Sequence, residues 1–450
     1  MRLTRVHVTG LFGLFNHEIR LNSDERITII HGPNGFGKTL VLRMTEALIS
    51  GKYGLFYEVP FKVFTLDTDS GVRLLVEREE IKDHEEARQL KADIYVGVKR
   101  SESEVPQYWM KLRSLRNPKI GDIILSGVAL RSPPKNSMRG EIANSVSEPD
   151  WLTAVRSELP KSRLVRTQRL DLIEGLQSTP ASGSDAVDYA VYYAGKWLDA
   201  HQADSGEKRK YKPTVEAYSE DLAAHIQQKL AEYAARSQEL DRTFPVRLLN
   251  RSKTDALDAE ALRERLTALE KTRAELTRLG FLDSEQGTGL GETSVQAIET
   301  RRDVLSVYVE DMANKLAIFA ELASKIQLFT RIINGRFLLK SLSIHREHGF
   351  VFTSATGAQL KPSELSSGEQ HELVLFYALL FQMNKNELLL IDEPEISLHV
   401  AWQEKFLGDL SEVVKLSEID VVVATHSPEI IGDHWNLTVE LKGPTEIARG

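Results

Sequence analysis

The sequence predicts an α/β fold in which a mixed sheet is interrupted by a long α-helical insertion. Three observations predict it. Short apolar runs of strand character occupy residues 1–80 and return after 336. A glycine-rich loop at 32–37 stands between one such run and an apolar stretch with helical spacing. Between the two strand-rich regions, residues 215–335 carry leucine-rich stripes at helical spacing.

Taken in order, Val6–Val8, Glu18–Leu21 and Ile27–Ile30 read as strands, and MRLTRVHVTGLFGLF as a strand-turn-strand. Leu40, Met44 and Leu48 recur at every fourth residue, which places a helix over 40–50. Phe61–Leu66 and Val72–Arg78 are further strands. Residues 99–150 are rich in Ser, Pro, Gly and Arg, and the adjacent prolines of RSPPKNSMRG (131–140) remove backbone donors, so a loop-rich insert is expected there. Asp150 is placed to cap a helix opening at Trp151, and a short strand is expected at Arg163–Arg166.

Three apolar stripes follow: Leu222, Ile226, Leu230, Tyr233 and Leu240; then Leu262, Leu266, Leu269, Leu276 and Leu279; then Leu305, Tyr308, Met312, Leu316, Phe319, Leu322, Ile326 and Phe329. Thr243-Phe244-Pro245 and the Gly-rich Glu285–Gly291 are expected to break them, giving a helical bundle or a short coiled-coil arm. The second stripe runs about 23 residues from Leu257, or about 35 Å at ~1.5 Å per residue, too short for a long DNA-tethering arm. Phe337–His345 and Gly349–Thr353 predict a hairpin, and the dense apolar runs Glu387–Ile391 and Asp420–Thr425 predict buried parallel strands. The expected division is therefore 1–200 as the first part of a head domain, 201–335 as a helical insert, and 336–450 as the second part of the head.

Composition narrows the function classes. No apolar run reaches the roughly 18 residues a membrane span needs, and the N-terminus lacks the unbroken apolar core of a secretory leader, so a cytoplasmic location without a membrane partner is expected. The absence of cysteine excludes disulfides, thiol catalysis and Cys-ligated zinc. With 57 basic against 65 acidic residues the net charge is −8, which argues against a chain whose main task is coating nucleic acid. Lys99, Arg100, Lys111, Arg113, Arg116 and Lys119 form a local basic cluster, read as a solvated loop.

Gly32-Pro33-Asn34-Gly35-Phe36-Gly37-Lys38-Thr39 matches G-x-x-x-x-G-K-[ST] between a strand and a helix, the context that pattern requires. A loop able to curl at Gly35 and Gly37, with Asn34 at its crown, turns successive N–H groups toward phosphate oxygens, and the helix N-terminus adds a favourable field. Lys38 would reach the β- and γ-phosphates of ATP and Thr39 would bind Mg²⁺. The apolar strand Glu387–Ile391 ends in Asp392-Glu393, carboxylates suited to Mg²⁺ and to general-base work on a water, respectively. Such strand ends lie where open α/β sheets place their ligands.

Leu365-Ser366-Ser367-Gly368-Glu369 opens a helix shortly before those carboxylates, and Ala424-Thr425-His426-Ser427 closes the strand after them. These motifs, in this order, resemble those of ABC ATPases, in the LSSGE form of the SMC and RecF-like branch. The resemblance covers 1–80, about 160–175 and 335–435. It implies an ABC-type P-loop ATPase head that hydrolyses ATP with Mg²⁺. It also implies a homo-oligomer, at least a dimer, in which Ser366 and Gly368 meet a γ-phosphate held by a partner subunit. By the same resemblance His426 is the switch histidine, Ile396-Ser397-Leu398-His399 the D-loop, and Gln168 the glutamine coupling Mg²⁺ and water to the inserted helices. Phe36 departs from the family pattern, which favours smaller residues in the loop.

Within this branch the chain resembles the ATPase module of overcoming-lysogenization-defect nucleases. Those carry a Toprim nuclease domain after the histidine, whereas 24 residues follow His426 here. It is thus similar to stand-alone ATPase subunits of bacterial anti-phage systems, such as AriA of PARIS or PtuA of Septu. That resemblance implies a separate effector protein, a nuclease or toxin, and a phage-derived trigger. A RecF-like DNA-repair ATPase clamping duplex DNA stays open as the alternative, and with it nucleic acid as a partner.

Overall fold

The computed structural model describes residues 1–80, 92–100, 108–112, 150–166, 214–250, 257–283, 295–396, 398 and 400–443. They form two compact units, Met1–Lys208 with Met383–Gly450, and Arg209–Gln382.

The first unit holds two sheets. Strands β1 (Leu3–Leu11), β2 (Phe15–Arg20), β4 (Val63–Thr68), β5 (Val72–Glu80), β6 (Ala92–Arg100) and β7 (Tyr108–Leu112) make an antiparallel sheet in the order β2-β1-β4-β5-β6-β7. Burial in β2 alternates strictly, with Phe15, His17 and Ile19 inside, as a one-sided sheet demands. The second sheet is wholly parallel, in the order β14-β3-β13-β12-β8, from Thr438–Glu440, Ile27–His31, Asp420–Thr425, Leu388–Asp392 and Ser162–Arg166. Every residue of β12 and β13 is buried, so their apolar runs are continuous rather than alternating. The register pairs Asp392 with Ala424 and His31 with Thr425, which aligns the carboxyl ends of β3, β12 and β13. Helix α1 (Lys38–Ser50) buries Val41, Leu42, Met44 and Leu48 in the core that both sheets share. Short helices α2 (Gly54–Glu58) and α3 (Asp150–Glu158) complete the described part of this unit's first segment, and α10 (Val400–Ser417) and α11 (Pro428–Ile431) belong to its second.

The 99–150 insert is not loop throughout. Lys99 and Arg100 end β6, and Lys111 lies on β7, so half of the basic cluster is on strands. Arg113, Arg116 and Lys119 lie outside the described residues. Tyr108–Leu112 pairs antiparallel with Ile94–Val98 of the preceding strand, a pairing that five residues among Ser, Glu and Pro do not announce.

The second unit is built on α4 (Thr214–Asn250), α5 (Ala259–Arg278), α6 (Val295–Glu299), α7 (Arg302–Ala317) and α8 (Ala320–Asn334). Its remainder is the antiparallel sheet β11-β10-β9 (Gln359–Leu360, Gly349–Ser354, Lys340–His345) and helix α9 (Ser367–Tyr377). Residues 336–382, assigned by sequence to the head, cluster with the helices. Leu262 and Leu266 of the second stripe form a small core with Ala259, Ile298 and Val309. Two breaks fall elsewhere than expected. Helix α4 runs through Pro245 for 37 residues, about 55 Å at ~1.5 Å per residue. Pro245 removes the bond to the Asp241 carbonyl, and Arg247 braces the helix beside that gap, donating to the Leu240 carbonyl and the Thr243 hydroxyl while pairing with Asp311. The third stripe is divided between α7 and α8 at Ile318-Phe319, where Phe319 turns fully inward against Tyr233 and Phe281.

Helix α9 is locked at its middle by a buried ion pair, Glu372 with Arg336, whose guanidinium also lies 4.7 Å from the centre of the Phe376 ring. Removing one partner takes from the other buried charge its ion-pair counterpart. Glu372→Ala is expected to cost about 3–5 kcal/mol, whereas the paired change Arg336→Met with Glu372→Leu costs far less. Urea unfolding of the two variants against wild type checks this.

Candidate nucleotide-binding site

At the end of β3 the chain turns through Gly32–Gly37 into α1. Gly35 and Gly37 adopt φ of 86° and 87°, which side-chain-bearing residues rarely take. A Cβ on Gly37 would also lie 2.7 Å from Leu11 Cδ2. Helix α1 has no side-chain cap and no acidic residue in its first turn, so its N-terminal N–H groups and dipole favour an anion. Asn34 and Gly35 are exposed.

Lys38 is buried and folds back over the loop, donating to the carbonyl oxygens of Gly32 (2.7 Å) and Pro33 (3.2 Å). Burial pushes its pKa down, against the pull of Glu393, Glu395 and Asp392. The hydroxyl of Thr39 donates to Asp392 Oδ1 at 3.0 Å. A hydroxyl and a carboxylate oxygen brought together are the hard oxygen donors Mg²⁺ takes, so the residues fit that ion.

Phe36 does not crowd the loop. Its ring packs 5.2 Å from Phe15, and its carbonyl lies 2.8 Å from His17 Nε2. His17 is buried and its Nδ1 has no partner among the described residues, so the neutral ring donates from Nε2. Burial lowers the His17 pKa below its ordinary value near 6.5, outweighing the bond to Phe36. Between that ordinary value and the lower folded one, the unfolded chain binds the extra proton. Stability contributed by neutral His17 is therefore full above about pH 6.5 and declines as pH falls through the window. The wild-type melting temperature is expected to drop more steeply below that pH than that of His17→Leu.

Glu393 follows β12 in the left-handed region, φ 49°, held there by its N–H bond to the Ala424 carbonyl at 2.8 Å. Such strain in a bulky residue persists only where neighbours over-determine it. Its carboxylate lies 3.9 Å from His426 Nδ1. The nearer partner of that ring is Glu395, half-buried on the short turn Pro394–Ile396 with its side chain 8% exposed. Glu395 Oε1 accepts from the Thr425 hydroxyl (2.8 Å) and the His426 N–H (3.0 Å), and lies 2.9 Å from His426 Nδ1. Gln403 ties the turn down through the carbonyls of Glu395 and Leu398, both at 3.1 Å. Ile396 is half-exposed and Leu398 buried, while Ser397 and His399 of the expected D-loop lie outside the described residues. A cavity of about 440 Å³ opens here, lined by His31, Gly32–Asn34, His426 and Trp435.

In the second unit, Ser366 caps α9. Its hydroxyl and N–H both donate to Glu369 Oε2 at 2.8 Å, which also takes Lys340 Nζ at 2.6 Å. Burial opposes ionisation of Glu369, but the bonds from Lys340 and Ser366 outweigh it and hold the carboxyl below its ordinary pKa. A Cβ on Gly368 would meet nothing within 4 Å, so no contact among the described residues requires glycine there.

A family model described as "AAA domain, putative AbiEii toxin, Type IV TA system" matches residues 27–432. The chain belongs to this family. Its AAA domain is also similar to the lipoprotein-releasing system ATP-binding protein LolD of Granulibacter bethesdensis, 28% identical over 156 residues, which is 34% of this chain and 63% of that protein. The chain thus spans less than two thirds of that relative's length. Two solved structures overlap 96% of the chain and 91% of their own: the SMC head domain from Thermotoga maritima (TM-score 0.33, 11% identity) and the Smc head domain of Pyrococcus furiosus with an extended coiled coil bound to the C-terminal domain of ScpA (0.32, 10%).

Of the sequence-predicted residues of this AAA domain, Asn34, Gly35, Gly37, Lys38, Thr39, Asp392, Glu393 and His426 come together at the strand ends of the first unit. Ser366 and Gly368 sit in the second unit, and Gln168 lies outside the described residues. Glu395 and His17 escaped sequence reasoning. A third carboxylate two residues past Glu393 was the available signal for the former. A lone histidine alternating with Phe15 and Ile19 gave none for the latter.

Proposed function

We propose that this P-loop ATPase-family chain binds ATP with Mg²⁺ and hydrolyses it at sites completed by a second copy. The observation that carries the reading is the Thr39–Asp392 contact, which joins the phosphate loop to the carboxylate pair at adjoining strand ends. Mg²⁺ held by Thr39 and Asp392 would offset phosphate charge. The buried ammonium of Lys38 exchanges its loop carbonyls for γ-phosphate oxygens. Glu393 takes a proton from the water that attacks the γ-phosphorus as the bond to ADP breaks. Ser366 and Gly368, at the N-terminus of α9, approach the γ-phosphate from the other copy.

The biological role that fits is an ATP-gated oligomeric subunit of a bacterial anti-phage defence complex, holding or activating a separate nuclease or toxin. The matched family's description, "putative AbiEii toxin, Type IV TA system", supports the defence setting, and the separate effector is proposed beyond it. No helix among the described residues is long and apolar enough to cross a membrane. The test is co-purification with the product of the adjacent reading frame, with and without ATP. Stable capture of a nuclease or toxin that ATP modulates supports the role. ATP-dependent duplex DNA binding that weakens steeply with salt, with no such partner, would favour a RecF-like clamp instead.

A further inference from the structure

We propose that Glu395 is a positioning residue for His426, fixing the ring's orientation and its tautomer. The inference rests on the hydrolysis reading above, but its core concerns a proton whose place can be observed without turnover. Two hydrogen bonds converge on Glu395 Oε1, from the Thr425 hydroxyl and the His426 N–H, and His426 Nδ1 lies 2.9 Å from the same oxygen. The two bonds hold the carboxylate whatever the imidazole does, so the carboxylate is a fixed anchor and the ring is what it aims. Its turn is pinned in addition by Gln403. An acceptor-only carboxylate 2.9 Å from Nδ1 requires the proton there, which leaves Nε2 as the acceptor of the neutral ring and the outward donor of the charged one.

The arrangement has a second consequence. Glu393 lies 3.9 Å from the same Nδ1, beyond hydrogen-bond reach. The ring therefore gives its Nδ1 proton to Glu395 and not to the carboxylate assigned to water. Without Glu395, the acidic oxygen among the described residues that could compete for His426 is on Glu393. Glu395 thus keeps the histidine and the base apart while holding His426 beside the loop at Gly32–Asn34.

The test uses the full-length chain with ¹⁵N-labelled histidine. The His426 ring signals are identified by their loss in His426→Ala. In its neutral form the wild-type ring is expected to show Nδ1 protonated and Nε2 bare. Glu395→Leu, similar in size but without an acceptor, shifts the ring toward the Nε2–H form, while Glu395→Gln keeps an acceptor oxygen and restores Nδ1–H. In turnover, Glu395→Leu lowers kcat about 10- to 100-fold, the scale on which partners of functional histidines act, with ATP affinity unchanged. In the His426→Ala background the same change has almost no further effect.

A ring that stays Nδ1–H in Glu395→Leu overturns the proposal, as does an equal kcat loss with or without His426. If Glu395→Leu melts early, the tautomer in Glu395→Gln and in wild type still decides: Nε2–H in either sinks the proposal. A wild-type protein with the expected tautomer but no ATP turnover would instead count against the hydrolysis reading alone.

Discussion

Glu393→Gln is expected to bind ATP as tightly as wild type and to turn it over about 10²- to 10⁴-fold more slowly, the usual contribution of a positioned general base. Gln matches Glu in size and can hold the same backbone conformation, φ 49° with the N–H on the Ala424 carbonyl. The change therefore removes a basic oxygen and leaves Lys38, Thr39 and Asp392 in place. Loss of proton transfer without loss of binding should accumulate the ATP-bound oligomer, visible as a shift to larger mass by light scattering on adding ATP. Phosphate release near the wild-type rate would move the base elsewhere, and the neighbouring carboxylate of Glu395 already accepts from the Thr425 hydroxyl and the His426 N–H.

How far the sequence revealed this site depended on which interactions are local. The strand, loop and helix of residues 27–50 are contiguous, and each carries its own pattern, so they were legible. Strands β12 and β13 were legible because burial on both faces leaves no room for polar residues. The break within the third stripe was hidden because its apolar spacing continues across Ile318-Phe319, where the chain turns without any Gly or Pro. Pro245 read as a breaker, and what carries α4 past it is a side-chain clamp from Arg247 to Asp311, 64 residues away. Glu395 was hidden for a similar reason. Its role depends on register, since the β12–β13 pairing sets Asp392 opposite Ala424 and so brings the turn after Glu393 beside Thr425 and His426.

Subunits crippled at opposite ends of the proposed composite site should rescue one another. Lys38→Ala removes the ammonium that counters the γ-phosphate and is expected to abolish ATP binding on its own. Ser366→Arg places a bulky cation at the N-terminus of α9, where Ser366 is exposed and its loss leaves the helix without its cap. Each variant alone is expected to be inactive. The phosphate loop belongs to one compact unit and Ser366 to the other, so each variant leaves the other unit intact. A mixed dimer then pairs the sound loop of one chain with the sound signature of its partner at one site, and two defective elements at the second. For random exchange of subunits with independent sites, half the dimers are mixed and half their sites live, giving roughly a quarter of the wild-type rate. Recovery to that level after mixing, measured as phosphate release, follows only if turnover requires groups from two chains. Were each chain to cleave ATP with its own loop and signature, mixing would restore nothing, and the activity of wild type would persist at dilutions where only monomer remains.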